Sequence, residues 1–186
     1  NAYGLGIATA DLNNDGWTDI YVNNDFHEDD YLYINNTDGT FTEASKKMTT
    51  MMSRFSMGSD IADINSDGLV DILSLDMAPD DEVVLKQSMG DGSLEMSEFR
   101  VDEYGYHYQF SRNMLQVNQN GKHFKETAIL SGIEATDWSW AALFADYDLD
   151  GHQDIFISNG IPKRPNNLDY IKYISNESTV KKLEKT

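Results

Sequence analysis

The sequence predicts an all-β fold: a partial β-propeller of three to four four-stranded blades, with a short mixed insertion and a helical C-terminal tail. Three observations carry this expectation. One phrase recurs as DLNNDGWTDI at 11–20, DINSDGLVDI at 63–72 and DYDLDGHQDI at 146–155. Each copy runs into β-branched or aromatic residues of strand type. A hairpin-like unit, YLYINNTDGTFTEAS at 31–45 and NMLQVNQNGKHFKETA at 113–128, stands at one fixed distance before the second and third copies.

The lead-in to each phrase is itself repeated. An aromatic residue, Tyr3, Phe55 or Trp138, and then a small one, Gly6, Gly58 or Ala141, occur at matching positions before each opening Asp. After each phrase the apolar stretches Ile20–Val22, Ile72–Leu73 and Ile155–Ile157 read as buried strands, so the acidic phrase joins strand to strand. The hairpins match residue for residue: Leu32, Ile34, Asn35, Phe41 and Glu43 against Leu115, Val117, Asn118, Phe124 and Glu126. Asp38-Gly39 and Asn120-Gly121 supply the turns, where positive φ is expected. Repeated units of about 40 to 50 residues with four short strands suggest propeller blades, and closed propellers hold about four to eight, so an arc of a ring is expected. An open arc exposes apolar faces, which makes self-association an expectation.

Between the second loop and its hairpin lies an insertion, about 78–112. Pro79 followed by Asp80, Asp81 and Glu82 predicts a helix start. In EYGYHYQF, at 103–110, Tyr104, Tyr106, Tyr108 and Phe110 alternate as they would on one face of a strand. Ordinary packing or a blade edge is the first reading of that stripe, and a sugar-stacking platform of Tyr104, Tyr106 and Tyr108 is the second. The blades are expected over 1–175, ending in one or two helical turns within LDYIKYIS, with a polar, frayed tail over 176–186.

The repeated phrases have the chemistry of calcium loops. Calcium takes oxygen ligands at about 2.3–2.6 Å, and donors at alternate positions wrap one ion with little chain. The side-chain ligands expected are Asp11, Asn13, Asp15 and Asp19; Asp63, Asn65, Asp67 and Asp71; and Asp146, Asp148, Asp150 and Asp154. The carbonyls of Trp17, Leu69 and His152 complete the sets, and Gly16, Gly68 and Gly151 allow the sharp turn. An EF-hand would need a bidentate Glu at the twelfth position and a helix beyond; Val22, Ser74 and Ile157 stand there instead. The competing reading is an acidic turn without metal, since Asp, Asn and Gly favour turns. Turn propensity does not require an acid at the ninth position, and all three copies have one. About three calcium ions are expected, most tightly held in the third loop with its four carboxylates.

Composition bounds the rest. With 32 acidic against 14 basic residues and a formal charge of −18, a nucleic-acid partner is disfavoured. The absence of cysteine removes disulfides and thiolate metal sites. No apolar run is long enough to span a bilayer, and a chain opening at Asn1 without a signal-like segment reads as an internal piece or a processed form.

The aromatic-x-x-Gly lead-in and the D-x-[DN]-x-D-G-x-x-D loops resemble FG-GAP/VCBS repeats, the calcium-loop blades also found in integrin α-subunit propellers. YGYHYQFSRNMLQVNQNG and TDWSWAALFADYDLDGHQDIFISNGI are similar to bacterial surface proteins of the cartilage acidic protein-like, ASPIC/UnbV-associated group. The resemblance implies a calcium-binding propeller on the cell surface, extracellular or periplasmic. Its expected role is a non-enzymatic binding or adhesion scaffold for a glycan or a protein. The alternative is part of a polysaccharide-active enzyme with an acidic site, for which Asp25, His27 and His107 are the candidates. No P-loop, nucleophile elbow or H-E-x-x-H pattern accompanies them.

Overall fold

The structure, a computed structural model, describes residues 3–88, 92–161 and 163–176. Strands form on both sides of each acidic loop, as the β-branched and aromatic stretches require. β1 (Tyr3–Ala10), β2 (Asp19–Asp25), β3 (Tyr31–Asn35) and β4 (Phe41–Glu43) build a four-stranded antiparallel sheet in sequence order. The helical turn α1 (Ser45–Met48) and the short β5 (Met52–Ser53) lead to β6 (Ser59–Ala62) and β7 (Asp71–Ser74). The insertion follows, with α2 (Glu82–Gln87), α3 (Leu94–Tyr104) and β8 (Gln109–Phe110). β9 (Met114–Gln119) and β10 (His123–Glu126) then complete a second antiparallel sheet, ordered β10-β9-β7-β6. After α4 (Ala128–Ser131), β11 (Ser139–Ala145) and β12 (Asp154–Asn159) pair as a third, two-stranded sheet, and α5 (Leu168–Ile174) ends the described chain.

The chain is therefore predominantly β, in open antiparallel sheets, an arrangement consistent with a partial β-propeller or a β-sandwich. Helices fall in the insertion (α2 and α3) and near the C-terminus (α5), as expected, and the short α1 and α4 are additional to the expectation among the described residues. Among the described residues two sheets have the expected four strands, the third has two, and β5 and β8 form a separate two-stranded parallel pair.

The sheets pack face on face. Leu12, Tyr21, Leu32 and Met48 of the first repeat form one buried cluster with Ile72 and Phe124 of the second. Leu73, Leu115 and Ala128 pack with Ala142 of the third sheet, and Phe144, Ile155 and Ile157 close around them. Each large side chain so buried contributes about 1.5–3 kcal/mol. The repeated small residue before each loop marks where the first strands of successive repeats meet. A Cβ on Gly6 would lie 3.2 Å from Gly58 Cα, and one on Gly58 would collide with the Trp140 carbonyl oxygen. The register of β1 against β2 shifts between Gly4 and Gly6, and that of β11 against β12 between Ser139 and Ala141. The strand irregularity is thus repeated along with the small residue, and Ala141 is accommodated.

Turn chemistry follows the sequence in the second hairpin, where Asn120 (φ 60°) and Gly121 (φ 68°) are both left-handed. In the first hairpin the left-handed residues are Thr37 and Gly39, while Asp38 accepts hydrogen bonds from the Thr40 N–H and hydroxyl. In the insertion, α2 begins as expected, its N-cap Asp81 accepting from the Val84 N–H at 2.9 Å. The tyrosine stripe is a correction. Helix α3 runs through Tyr104 and ends at Gly105 (φ 69°), so Tyr104, Tyr106 and Tyr108 do not alternate along a strand. Ser93, which accepts from the Met96 N–H, supplies a helix start that the aromatic period had obscured. At the C-terminus, α5 is capped by Asn167, and the polar tail lies outside the described residues from 177 onward.

Candidate metal loops

The three acidic loops share one backbone path. Their fourth residues, Asn14 (φ 60°), Ser66 (φ 60°) and Leu149 (φ 63°), are left-handed, as are the sixth-position glycines Gly16, Gly68 and Gly151. The glycines were legible in the sequence; the fourth positions were not, because only Asn14 belongs to a residue type that tolerates this region well. The path turns successive N–H groups toward the acids. Both oxygens of the first Asp are engaged: Asp11 accepts from the Asp15 and Gly16 N–H groups at 3.0 and 2.7 Å, Asp63 from Asp67 and Gly68 at 3.1 and 2.8 Å, and Asp146 from Asp150 and Gly151 at 3.0 and 2.9 Å. The third residue's Oδ1, on Asn13, Asn65 or Asp148, accepts from that same fifth-position N–H. The fifth Asp accepts from the seventh residue: Asp15 from Trp17, Asp67 from Leu69 and Asp150 from His152. Such Asx-type bonds hold the oxygens in a tight ring.

The ninth-position Asp ties the ring to the sheet. Asp19 is fully buried and accepts from the Leu12 N–H and the Asn35 N–H, both at 2.8 Å. Asp71, equally buried, accepts from Ile64 at 3.0 Å and from Asn118 at 2.8 Å. Burial pushes both carboxyls above their usual range, and these amide hydrogen bonds oppose the shift. The Asn side chains grip the same loop ends, Asn35 Nδ2 donating to the Thr18 carbonyl and Asn118 Nδ2 to the Val70 carbonyl, each at 3.1 Å. Asn118 Nδ2 also reaches the Leu12 carbonyl at 2.9 Å, so the second hairpin touches the first loop. Asp154 is half-buried and accepts from the Tyr147 N–H at 2.9 Å.

The donor set of the third loop could hold a hard cation. Asp146, Asp148 and Asp154 each present an oxygen, all within 4.8 Å of one another. Two unit charges about 4 Å apart repel by roughly 4 kcal/mol at an effective dielectric of 20, so such a cluster favours a cation. In the other loops an amide does part of that work: Asn13 Nδ2 donates to Asp15 at 2.8 Å and Asn65 Nδ2 to Asp67 at 3.0 Å. Asp148 has no N–H to offer at that place. All-oxygen donors match calcium or magnesium rather than softer metals.

Antiparallel strands put the β2–β3 turn and the insertion, which joins β7 to β9, at the end opposite the loops. These two segments are bound together. Asp29, 6% exposed, accepts from the His107 N–H at 2.9 Å and from Gln109 Nε2 at 3.1 Å, with Lys46 Nζ 3.3 Å away. His107 Nε2 lies 3.2 Å from the Thr49 hydroxyl, and Arg100 donates to His27 Nδ1 at 3.1 Å. β5 and β8 add a parallel pairing. His27 and His107 therefore sit in the seam that fastens the insertion to the first repeat. Tyr104 and Tyr108 are exposed on this insertion, and the rings of Tyr104 and Tyr106 lie 6.4 Å apart between centroids, tilted by 43°.

The loop-and-hairpin geometry has a counterpart among known families. Residues 4–74 match an FG-GAP-like repeat. The FG-GAP-like repeat takes in β1 through β7, with the first two acidic loops and the hairpin between them. FG-GAP repeats are typically binding modules rather than catalytic ones. No curated protein matches the chain. No helix among the described residues is long and apolar enough to cross a membrane.

Proposed function

We propose that the chain is an arc of a calcium-stabilised β-propeller that serves as a binding or adhesion scaffold outside the cytoplasm. The carrying observation is one loop geometry in three copies, each beside a turn that joins two strands, with the oxygens of Asp146, Asp148 and Asp154 in the third within 4.8 Å of one another. In this reading Asp11, Asn13, Asp15 and Asp19, with their counterparts in the other loops, take calcium, and the carbonyls of Trp17, Leu69 and His152 complete the shells. The ions hold the strand ends rigid. Loops of modest affinity suit calcium-rich surroundings, which supports an extracellular, surface or periplasmic location.

The ligand, a glycan or a protein, is assigned to the opposite end, where the insertion presents Tyr104, Tyr106 and Tyr108. The narrower kinship with ASPIC/UnbV-associated surface proteins rests on the insertion and third-loop residues and belongs to this proposal. A binding role is favoured over catalysis because His27 and His107, two of the three candidates for an acidic active site, are occupied in fastening the insertion.

Calcium titration into chelator-stripped protein, paired with melting curves, tests the reading. About three bound ions and a raised melting temperature are expected, since a ligand that binds only the folded state stabilises it. A melting curve indifferent to both calcium and chelator would overturn it. Glycan-array binding that disappears when the three tyrosines become alanine, with stability unchanged, would identify the ligand class; binding that survives would exclude the tyrosine platform.

A further inference from the structure

Two acidic loops from different repeats meet at one buried side chain. Asn118, 1% exposed in β9, donates through Nδ2 to the Leu12 carbonyl of the first loop at 2.9 Å and to the Val70 carbonyl of the second at 3.1 Å. Its backbone N–H goes to Oδ1 of Asp71, the ninth residue of the second loop, and its own Oδ1 receives the Gly121 N–H at 2.9 Å, which closes the hairpin turn. That turn is seated on the first loop. A Cβ on Gly121 would stand 2.3 Å from the Asn13 carbonyl oxygen, so glycine is required there by the contact as well as by its φ of 68°. Both loops and the turn belong to the two four-stranded sheets.

We propose, on the calcium reading above, that Asn118 is a positioning residue shared by the first two loops, through which calcium in either raises the affinity of the other. Asp11 and Asn13 enclose Leu12, and drawing their oxygens to one centre also fixes the Leu12 and Asn13 carbonyls. Those two carbonyls carry the hairpin turn. A turn held in this way fixes the Asn118 N–H against Asp71, whose other oxygen accepts from Ile64 at 3.0 Å within the second loop. Whichever loop fills first orders the turn for both, and the second then binds with less ordering left to do. By linkage the gain is equal in the two directions. Among the described residues no hydrogen bond joins the third loop to either of these, so it serves as an internal reference.

Site-resolved calcium titration of the full chain by nuclear magnetic resonance, read at the Gly16, Gly68 and Gly151 amides, tests the coupling. Asp11→Ala disables the first loop, and the second should then bind about tenfold more weakly while the third is unchanged. Asp63→Ala should weaken the first loop by the same factor. In Asp63→Ala, calcium should also slow hydrogen exchange at the Asn118 and Gly121 amides, because the first loop alone then orders the turn. Asn118→Ala removes the bridge from within the core; Gly121→Ala lifts the turn off the first loop and leaves Asn118 in place. In the Gly121→Ala background, Asp11→Ala should no longer alter the second loop. A second-loop affinity that Asp11→Ala leaves unchanged, or lowers together with that of the third loop, would overturn the coupling and leave the calcium reading standing. No calcium-dependent shift at Gly16 and Gly68 would overturn both.

Discussion

The backbone N–H of Asn118 donates to Asp71 Oδ1 at 2.8 Å across 47 residues of sequence, and Asn35 makes the same bond to Asp19. The ninth loop residue is thus as much a strand-pairing device as a candidate metal ligand. Both roles need a carboxylate: one oxygen serves the loop, the other the hairpin.

Asp71→Ala, in calcium-free buffer, strands the Ile64 and Asn118 N–H groups in a buried setting. A loss of about 2–4 kcal/mol is expected, since each unsatisfied buried group costs about 1–3 kcal/mol. Asp154→Ala, with one amide partner and partial exposure, should cost about 1 kcal/mol. Denaturant unfolding of the two variants checks the ranking, and equal losses would contradict it.

Calcium should distinguish the loops. Asp148→Asn gives the third loop the Asn that the other loops carry, and its calcium affinity should fall by roughly tenfold. Asn13→Asp removes the amide that bridges to Asp15 and should strengthen the first loop by a similar factor. Site-resolved titration by nuclear magnetic resonance, read at the Gly16 and Gly151 amides, reports each loop separately.

Leu149 holds φ 63° while 86% exposed, so a residue ill-suited to the left-handed region sits there with little packing in return. Leu149→Asn, matching Asn14, should raise stability by about 0.5–1 kcal/mol, because the left-handed conformation costs an ordinary residue about 1–2 kcal/mol. A thermal melt suffices, and a lowered melting temperature would contradict the assignment.

Gly58→Ala should cost about 1–3 kcal/mol, as its Cβ meets the Trp140 backbone with no flexible atom to give way. Gly16→Ala meets nothing within 4 Å and should cost only its positive-φ strain, about 1 kcal/mol. A larger loss at Gly16 than at Gly58 would reverse the reading.

Asp30 gives a pH dependence of defined sign. It is fully buried, and burial pushes its carboxyl up to about 7 from an ordinary value of 3.8, despite hydrogen bonds from the Asn24 N–H and from the Tyr21 and Ser56 hydroxyls. Because the folded-state value is the raised one, the native protein holds a proton that the unfolded chain has lost. This contribution is complete below about 3.8 and disappears as pH rises toward 7. Stability should therefore fall between pH 5 and 7 with a slope of up to about 1.4 kcal/mol per pH unit from this group. Asp30→Asn, which resembles the protonated acid, should flatten that slope in chemical denaturation at stepped pH.

Much of this organisation was legible in the sequence, because repetition converts weak local signals into register. Glycine at the sixth loop position, the hairpin leucines and the small residue before each loop all fell where one backbone geometry demands them. What escaped had other causes. Tyr104, Tyr106 and Tyr108 satisfied a strand period by coincidence, while Ser93 and Gly105 marked a helix that takes in Tyr104 and stops before the other two. Ser66 and Leu149 adopt a left-handed conformation that their side chains do not advertise. The bond from Asn118 to Asp71 depends on a long-range strand pairing: the Asn matched in both hairpins was visible, but not that β9 lies beside β7 and brings its N–H to the loop.

The clasp between the insertion and the β2–β3 turn has a consequence for synthesis. Gln109 follows Asp29 by 80 residues, so at about 5–20 residues per second the ribosome delivers that partner roughly 4–16 s after the aspartate. During that interval the first sheet can assemble its loop and hairpin, yet it holds a carboxylate destined for burial whose amide partners have not emerged. The order of translation thus leaves the first repeat provisional until the second has nearly been made.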